Sequence, residues 1–413
     1  MNELNLRELG LYIHIPFCVR KCDYCDFLSA PATDAAKAEY MEALLTEIKS
    51  YQGRTSEYIV PTVFIGGGTP SCIPAEDIIR IMEELHRSFH MEEAVLEATI
   101  EVNPGTVNKE KLLQYRDAGL NRISFGLQST EKEELKRLGR IHSFEEFAEN
   151  YKLAREVGFH NINIDLMSAL PGQTPASWEK TLNTVIAMNP EHISAYSLII
   201  EEGTKFYDRY HPGSADQQEL PDEDTDRLIY YKTAELLEPA GYHRYEISNY
   251  AKMGYECRHN NSYWIGTEYL GLGLGAASLL DGARFSNMRD IKQYNLHCNG
   301  YNIALNDRKL VHINRLDGSS ISKDPLGIRT EHQVLSKAEQ MEEFMFLGLR
   351  RCDGISKSTF LERFGITITS AYGPILRALE KKQLINIEGD YIRLTGQGID
   401  LSNMVLAEFL FDE

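Results

Sequence analysis

The sequence predicts an α/β fold whose first half is an open, partial barrel of six strand–helix units. Two observations predict this fold: short β-like runs alternate with amphipathic stretches, and the alternation stops after Ile200. Parallel strands need such crossover connections, which usually contain a helix. Six units are too few for a closed eight-stranded barrel, and a doubly wound sheet is the structural alternative. In both folds, ligands bind at the carboxyl ends of the strands.

The six units are read from hydrophobic periodicity and turn residues. Strands are expected at 11–15, 62–66, 97–102, 121–126, 161–166 and 192–199, and helices at about 34–53, 75–90, 108–118, 130–137, 143–157 and 175–188. In the second helix, Ile78, Met82 and Leu85 recur at helical spacing. Pro74 and Pro175 lie at expected helix starts, where proline is favoured.

Two further regions follow the barrel, so we expect domains at 1–205, 206–335 and 336–413. The middle region begins with an acidic, proline-interrupted loop and a helix near 222–240, then becomes a mixed α+β extension with glycine-rich turns. The last region has an apolar helical stripe that includes Met341 and Leu349, followed by another helix and a strand pair. This order resembles a winged-helix module. Its 9 Lys and Arg against 12 Asp and Glu favour packing or a lid over DNA binding.

The composition excludes several classes of protein. The chain has 413 residues, and 43 Lys and Arg against 61 Asp and Glu give a net charge of −18. Such an acidic surface argues against nucleic acid or anionic lipid as the main partner. The first residues show no basic segment followed by an apolar stretch, and the longest nearly apolar run, 270–280, is shorter than the ~18 residues of a membrane span. We therefore expect a cytoplasmic protein. Its seven cysteines, odd in number, do not suggest a disulfide framework.

Three of the seven cysteines, Cys18, Cys22 and Cys25, follow a C-x3-C-x2-C spacing. Three thiolates this close can hold one compact inorganic group. A structural zinc site normally needs four protein ligands, and no fourth Cys or His follows at a matching distance. A zinc ion or three unrelated thiols are the alternatives. The spacing favours a [4Fe–4S] cluster with three protein ligands, which leaves one iron open to a small molecule.

A glycine run, GGGTP at 66–70, ends the second predicted strand. Glycines at a strand end let a ligand approach the backbone, although such a run is also typical of a tight turn. Glu101, Gln128 and Asp165 end the next three strands. Arg140 follows twelve residues after Gln128 and is suited to pair with a carboxylate. Singly, these four residues are more typical of helix caps and solvated surface, but together they indicate a site.

The cysteine triplet, with Tyr24 before its last cysteine, resembles the signature of the radical S-adenosylmethionine (SAM) proteins. This resemblance implies a partial (β/α)6 radical-SAM barrel in which the open iron binds the amino and carboxylate groups of SAM. The runs YIHIPFC, GGGTP, SFGLQ and NIDLM…LPGQT, with the C-terminal module, look like the oxygen-independent coproporphyrinogen-III-oxidase-like branch. By this resemblance the cluster ligands are Cys18, Cys22 and Cys25, and the SAM contacts are Tyr12, Tyr24, Gly67, Gly68, Thr69, Glu101, Gln128, Arg140 and Asp165.

Two departures separate the chain from the true oxidases. The oxidases carry an additional cysteine two residues past the triplet, where this chain has Phe27, and a long segment before the triplet. Both departures point to a sister branch, the HemW-type heme chaperones. A smaller departure is Ser168-Ala169, where relatives commonly have an aromatic residue and glycine.

The heme-associated HNxxYW motif of that branch is matched by HNNSYW at 259–264. A neutral imidazole is a good axial ligand for heme iron, and Tyr263 and Trp264 offer flat apolar surface for a porphyrin. From the residues alone, His259 is more typical of a structural hydrogen-bonding residue, and a metal site of Cys257 and His259 is a further alternative. The resemblance favours His259 as the heme ligand.

The resemblance implies a heme chaperone that binds heme and transfers it to an acceptor protein, with a [4Fe–4S] cluster, SAM and heme as cofactors. The alternative is an oxygen-independent coproporphyrinogen III oxidase, which decarboxylates propionates to vinyls. A third interpretation is a radical SAM enzyme on an unrelated substrate. The chaperone is favoured over an enzyme. The implied partners are heme, an unidentified acceptor protein and, peripherally, membrane hemoproteins, and nucleic acid is not expected.

Overall fold

A computed structural model describes residues 6–306 and 321–411 of the chain. Six parallel strands form its first half: β1 (Arg7–Ile15), β2 (Tyr58–Gly67), β3 (Glu97–Val102), β4 (Arg122–Gln128), β5 (Ile162–Ser168) and β6 (His192–Ser197). They lie in sequential order within one sheet. A doubly wound sheet would reverse its strand order at a switch point, so this order is that of a barrel. The predicted open, partial barrel is confirmed.

Helices connect successive strands: α1 (Asp34–Ser50), α2 (Ala75–Ser88), α3 (Lys109–Asp117), α4 (Lys132–Arg137), α5 (Phe144–Glu156) and α6 (Pro175–Met188). Helices α1, α3, α5 and α6 each begin after a residue whose side-chain oxygen accepts a hydrogen bond from a backbone N–H of the first turn. These residues are Thr33, Asn108, Ser143 and Thr174. The six predicted helices are confirmed. The first ends at Ser50, before the predicted residue 53, and the chain then turns at Gly53, which has a left-handed φ of 76°.

The extension widens the barrel sheet at both edges. Its elements are α7 (Lys205–Tyr210), α8 (Glu223–Leu237), β7 (His243–Arg244), β8 (Asn249–Ala251), α9 (Arg258–Ile265), β9 (Glu268–Leu272), β10 (Ala277–Leu280), β11 (Ala283–Asn287), α10 (Ile291–Asn306) and β12 (Arg329–Val334). Strand β9 pairs in parallel with β1, whereas β8 pairs antiparallel with β6. The result is a twelve-stranded sheet in the order β12-β11-β10-β9-β1-β2-β3-β4-β5-β6-β8-β7.

Helix α9 lies at the amino ends of the barrel strands. Glu97, the first residue of β3, accepts hydrogen bonds from the backbone N–H groups of Arg258 and His259, both at 3.0 Å. Exposed N–H groups at a helix start favour a carboxylate there. The hydroxyl of Thr62 in β2 also contacts α9, through the His259 ring. These contacts place His259, the first residue of HNNSYW, against the inside of the barrel.

The C-terminal region has its own small sheet and its own apolar core. It comprises α11 (Lys337–Gly348), β13 (Ile355–Ser356), α12 (Lys357–Phe364), α13 (Ile368–Lys381), β14 (Ile385–Glu388), β15 (Tyr391–Leu394), α14 (Gly396–Asp400) and α15 (Ser402–Ala407). The sheet order β13-β15-β14 is that of a winged-helix module. Met341, Met345 and Leu349 of the predicted stripe are buried in this core. The domain boundaries at 205 and 335 stay a prediction. In the described ranges of the chain, we find no helix with the length and apolar character that crossing a bilayer requires.

Candidate cluster and cofactor site

The three cysteines lie on the loop after β1, where they line one cavity of about 120 Å³, hereafter the thiol cavity. The loop is fixed at both sides. The Cys18 N–H donates to the Ala30 carbonyl at 3.3 Å, and the Asp23 N–H donates to the Leu138 carbonyl at 3.1 Å. Residues 6–306 and 321–411 contain no group of three His, Cys, Asp or Glu side chains placed to hold a single metal ion.

Arg140 is one of three basic residues that line the thiol cavity, and it contacts a cysteine directly. Its Nη1 donates to the Cys22 sulfur at 3.6 Å, and its Nη2 donates to Asn103 Oδ1 at 2.8 Å and to the Gly126 carbonyl. Among the described residues no carboxylate pairs with Arg140, so its pairing with a carboxylate stays a prediction. Burial is the largest influence on two of the thiols and raises the pKa of Cys18 and of Cys25. The charge of Lys21 opposes that effect at both thiols, because a nearby cation favours the thiolate.

The glycines of GGGTP are required by contacts within the chain itself. Gly67 has a left-handed φ of 112°, and a Cβ there would lie 2.6 Å from the His14 ring. A Cβ on Gly68 would lie 2.5 Å from the Phe17 carbonyl oxygen. Both glycines also line the thiol cavity. The sequence analysis attributed the glycines to ligand approach and did not predict this packing against β1 and the loop that follows it.

The three strand-end residues lie together, as the parallel sheet predicts. Glu101 accepts a hydrogen bond from the Gly67 N–H at 3.1 Å. Burial, followed by the charge of Asp165, raises the pKa of Glu101 to about 8. Asp165 accepts from Ser124 at 3.0 Å and Asn163 at 2.8 Å. The site therefore holds two neighbouring carboxyl groups, of which Glu101 binds a proton near neutral pH.

The thiol cavity is lined by every predicted site residue except Tyr12 and His259. Those two residues line a larger cavity of about 470 Å³ inside the barrel, hereafter the central cavity. Tyr24, Cys25, Glu101, Gln128 and Asp165 line both cavities. The two cavities therefore adjoin, and Cys25 and His259 line the same one.

His259 is 1% exposed and both of its ring nitrogens are paired. Nδ1 lies 2.9 Å from the Thr62 hydroxyl, and Nε2 lies 2.7 Å from the Tyr263 hydroxyl. The ring stacks on Phe64 with centroids 5.2 Å apart. Burial, and secondarily the charge of Arg122, lowers the pKa of His259 to about 3. The imidazole is therefore neutral at physiological pH, which is the form that binds a metal.

Tyr263 and Trp264 do not form one surface, and this expectation from the sequence is wrong. Tyr263 lines the central cavity, whereas Trp264 lines a separate cavity of about 510 Å³ against the C-terminal module. There the Arg350 guanidinium lies 4.5 Å from the Trp264 ring centroid. Adjacent residues of a helix point in directions about 100° apart, which separates the two rings.

Sequence reasoning missed three residues of the site: Asn103, Arg122 and Ser124. Asn103 donates to the Thr69 hydroxyl at 2.7 Å and accepts from Arg140, so it connects two predicted residues. Arg122 and Ser124 line the central cavity. The sequence could have predicted Arg122 and Ser124, because alternate residues of a strand lie on the same face and Gln128 ends β4.

Comparison with known proteins places these features in context. Residues 12–185 match the family model of the radical SAM superfamily, and residues 335–401 match that of the HemN C-terminal domain. A heme chaperone HemW from Bacillus subtilis (strain 168) is 36% identical over 399 residues, which cover 97% of this chain and 98% of that protein. A heme chaperone HemW from Haemophilus influenzae is 34% identical over 418 residues, covering 99% of each chain. The solved structure of Escherichia coli coproporphyrinogen III oxidase (HemN), a radical SAM enzyme, shares the fold, with a TM-score of 0.78, 24% identity and coverage of 98% of this chain and 90% of that one.

Proposed function

Because this chain belongs to the HemW heme-chaperone family of the radical SAM superfamily, we propose that it binds heme and transfers it to an acceptor protein, with a [4Fe–4S] cluster and SAM as its own cofactors. The similarity to heme chaperones extends over nearly the whole chain, including the HNNSYW segment and the C-terminal module. It therefore supports the whole function rather than the barrel alone.

One geometric observation carries the proposal: His259 lines the central cavity together with Tyr24, Glu101 and Asp165. A heme bound through His259 would lie within the barrel, next to the residues assigned to SAM. The cavity of about 470 Å³ is within the usual range for small-molecule sites. This arrangement supports a role in which the cluster and SAM act on heme binding or release.

The thiol cavity fits a cluster with three protein ligands. We assign Cys18, Cys22 and Cys25 as those ligands, and Tyr12 with the other predicted residues of the thiol cavity as SAM contacts. When bound, the cluster and SAM supply one-electron chemistry. Arg140 holds a positive charge at the Cys22 sulfur, and Asn103 fixes both Arg140 and Thr69. These contacts orient the loop before any cofactor arrives.

His259 is the proposed heme ligand. Thr62 fixes the ring through Nδ1, so Nε2 is the nitrogen available to iron once the Tyr263 hydroxyl gives up its hydrogen bond. The neutral ring releases no proton on binding iron. Phe64, stacked on the imidazole, adds apolar surface beside the porphyrin.

The proposed cargo sets the class of the acceptor, which is a protein that takes up heme. We further propose that the protein works in the cytoplasm and meets membrane hemoproteins peripherally. The net charge of −18 disfavours direct binding to anionic lipid, so such contact would run through protein surfaces.

A hemin titration tests the proposal. Wild-type protein should give a saturable Soret shift, and His259→Ala should weaken binding at least tenfold. His142→Ala is the matched control, because His142 is also buried but lines other cavities. The proposal fails if wild type shows no saturable binding, or if both variants bind equally.

The same preparation, reconstituted anaerobically, should be offered coproporphyrinogen III in parallel. The chaperone function predicts no decarboxylated porphyrin. Formation of vinyl groups from propionates would instead identify an oxidase. Phe27, 62% exposed at the position where the oxidases have their additional cysteine, agrees with the chaperone.

A further inference from the structure

Arg122 is a buried cation without a hydrogen-bond partner at Nε. Arg122 is the first residue of β4 and is 2% exposed. It lines the central cavity together with His259 and Tyr263. Among the described residues, no group accepts a hydrogen bond from Nε. Burying a charged group without such partners is costly, so an arginine in this state is suited to an anionic ligand.

The neighbouring carboxylates are already engaged. Glu97 accepts from the N–H groups of Arg258 and His259 at the start of α9, and one of its oxygens also contacts the Cys257 thiol. Asp165 accepts from Ser124 and Asn163. The charges of Glu97 and Asp165 act on Arg122 through space, but their hydrogen-bonding capacity goes to other groups. The guanidinium therefore keeps a free donor edge in the cavity.

We propose that Arg122 binds a propionate carboxylate of the heme held in the central cavity. This inference rests on the proposed function and adds the group that recognises the porphyrin edge. Arginine suits the task because its planar guanidinium can donate two parallel hydrogen bonds to one carboxylate.

A carboxylate in this barrel has two sources, heme and the methionyl end of SAM. Arg122 begins β4 and Gln128 ends it. Six steps of about 3.3 Å place the two ends of the strand roughly 20 Å apart. SAM is assigned to the Gln128 end, beside the thiols, whereas His259 lies at the Arg122 end, against Thr62 and the first residue of β3. The position of Arg122 therefore favours the heme propionate.

The test compares hemin with the iron porphyrin whose two propionates are methyl esters. Wild type should bind hemin about 10- to 100-fold more tightly than the ester, the factor expected for a charge-assisted hydrogen bond. Arg122→Gln should lose that preference by weakening hemin alone, and Arg122→Lys should restore part of it. Arg137→Gln, which alters an arginine that donates to the Pro171 carbonyl outside this cavity, should keep the full preference.

The outcomes separate this inference from the proposed function. If wild type binds hemin and its ester equally, Arg122 does not read a propionate, and the inference fails even if no Arg122 variant folds. If Arg122→Gln weakens SAM binding to the reconstituted protein while hemin affinity holds, the carboxylate belongs to SAM and the inference is overturned. If wild type binds neither porphyrin, the chaperone function fails as well.

Discussion

The Arg140 guanidinium donates a hydrogen bond to the Cys22 sulfur across 3.6 Å, although 118 positions separate the two residues in sequence. Arg140 is itself fixed by Asn103 Oδ1 and the Gly126 carbonyl, so its charge stays beside the thiol. The contact joins the end of α4 to the loop after β1. It holds a fixed cation against a proposed cluster ligand.

Replacing Arg140 should make the cluster harder to reduce. A positive charge at this distance stabilises the added electron by about 1 kcal/mol or more, so Arg140→Gln should lower the midpoint potential. A spectroscopic redox titration of the reconstituted protein measures this shift. Arg137→Gln is the control, because its guanidinium contacts the Pro171 carbonyl instead. An unchanged potential in Arg140→Gln would show that Arg140 does not act on the cluster.

Removing one cysteine should abolish cluster binding, whereas removing an unrelated cysteine should not. After anaerobic reconstitution, Cys22→Ala should lose the broad visible absorbance of the iron–sulfur centre. Cys72→Ala provides the comparison, because Cys72 is half-buried and does not line the thiol cavity. Equal absorbance in the two variants would reject the ligand assignment.

Replacing Ala169 by glycine should make the protein more stable. Its φ is 57°, in the left-handed region where a Cβ costs about 1–2 kcal/mol, partly offset by the greater freedom of glycine in the unfolded chain. Ala169→Gly should therefore raise the free energy of unfolding by about 0.5–1 kcal/mol, as measured by urea denaturation. Ala38→Gly, in the middle of α1, should lower it by a similar amount. A loss of stability in Ala169→Gly would contradict this account of the departure at Ser168-Ala169.

Glu47 should make the protein less stable as the pH rises. Burial is the largest influence and raises its pKa to about 7 from an ordinary 4.5, although Tyr294, Gly273 and Asn287 donate hydrogen bonds to it. The folded state therefore holds a proton that the unfolded state has released, and the free energy of unfolding falls between pH 4.5 and 7.

Unfolding midpoints measured at pH 5, 6 and 7 check this slope. Glu47→Gln should make the slope shallower, because Glu101, whose pKa is also raised, still contributes to it, whereas Glu39→Gln on the exposed side of α1 should leave the slope unchanged. The same slope in both variants would assign the pH dependence to another group.

The sequence was sufficient to predict the barrel and the polar residues at the carboxyl ends of its strands. Strand β3 has the predicted bounds, and Glu101, Gln128 and Asp165 meet because parallel strands end at a common edge. The order of the units along the chain became the order of the strands in the sheet. The hydrophobic pattern of each segment, together with the known topology of parallel barrels, was enough to predict this part of the structure.

The remaining features depended on contacts distant in sequence. The pairing of β9 with β1 and of β8 with β6 joins segments far apart in the chain, and short runs carry no signal for their partners. The packing of Gly67 against His14 and the separation of Tyr263 from Trp264 likewise required the assembled barrel. A motif identified these residues, but only three-dimensional packing showed where each side chain points.

The most direct test of the central claim, a heme site in the cavity that the proposed cluster ligand Cys25 also lines, is a magnetic one. The protein would be reconstituted with its cluster, loaded with heme and fully reduced, and the cluster's EPR signal would be examined for faster relaxation caused by the nearby high-spin ferrous heme. Because β4 spans roughly 20 Å between its ends, heme on His259 should enhance that relaxation, and His259→Ala should abolish the effect. Stoichiometric heme that leaves the cluster's relaxation unchanged in wild type would contradict the claim.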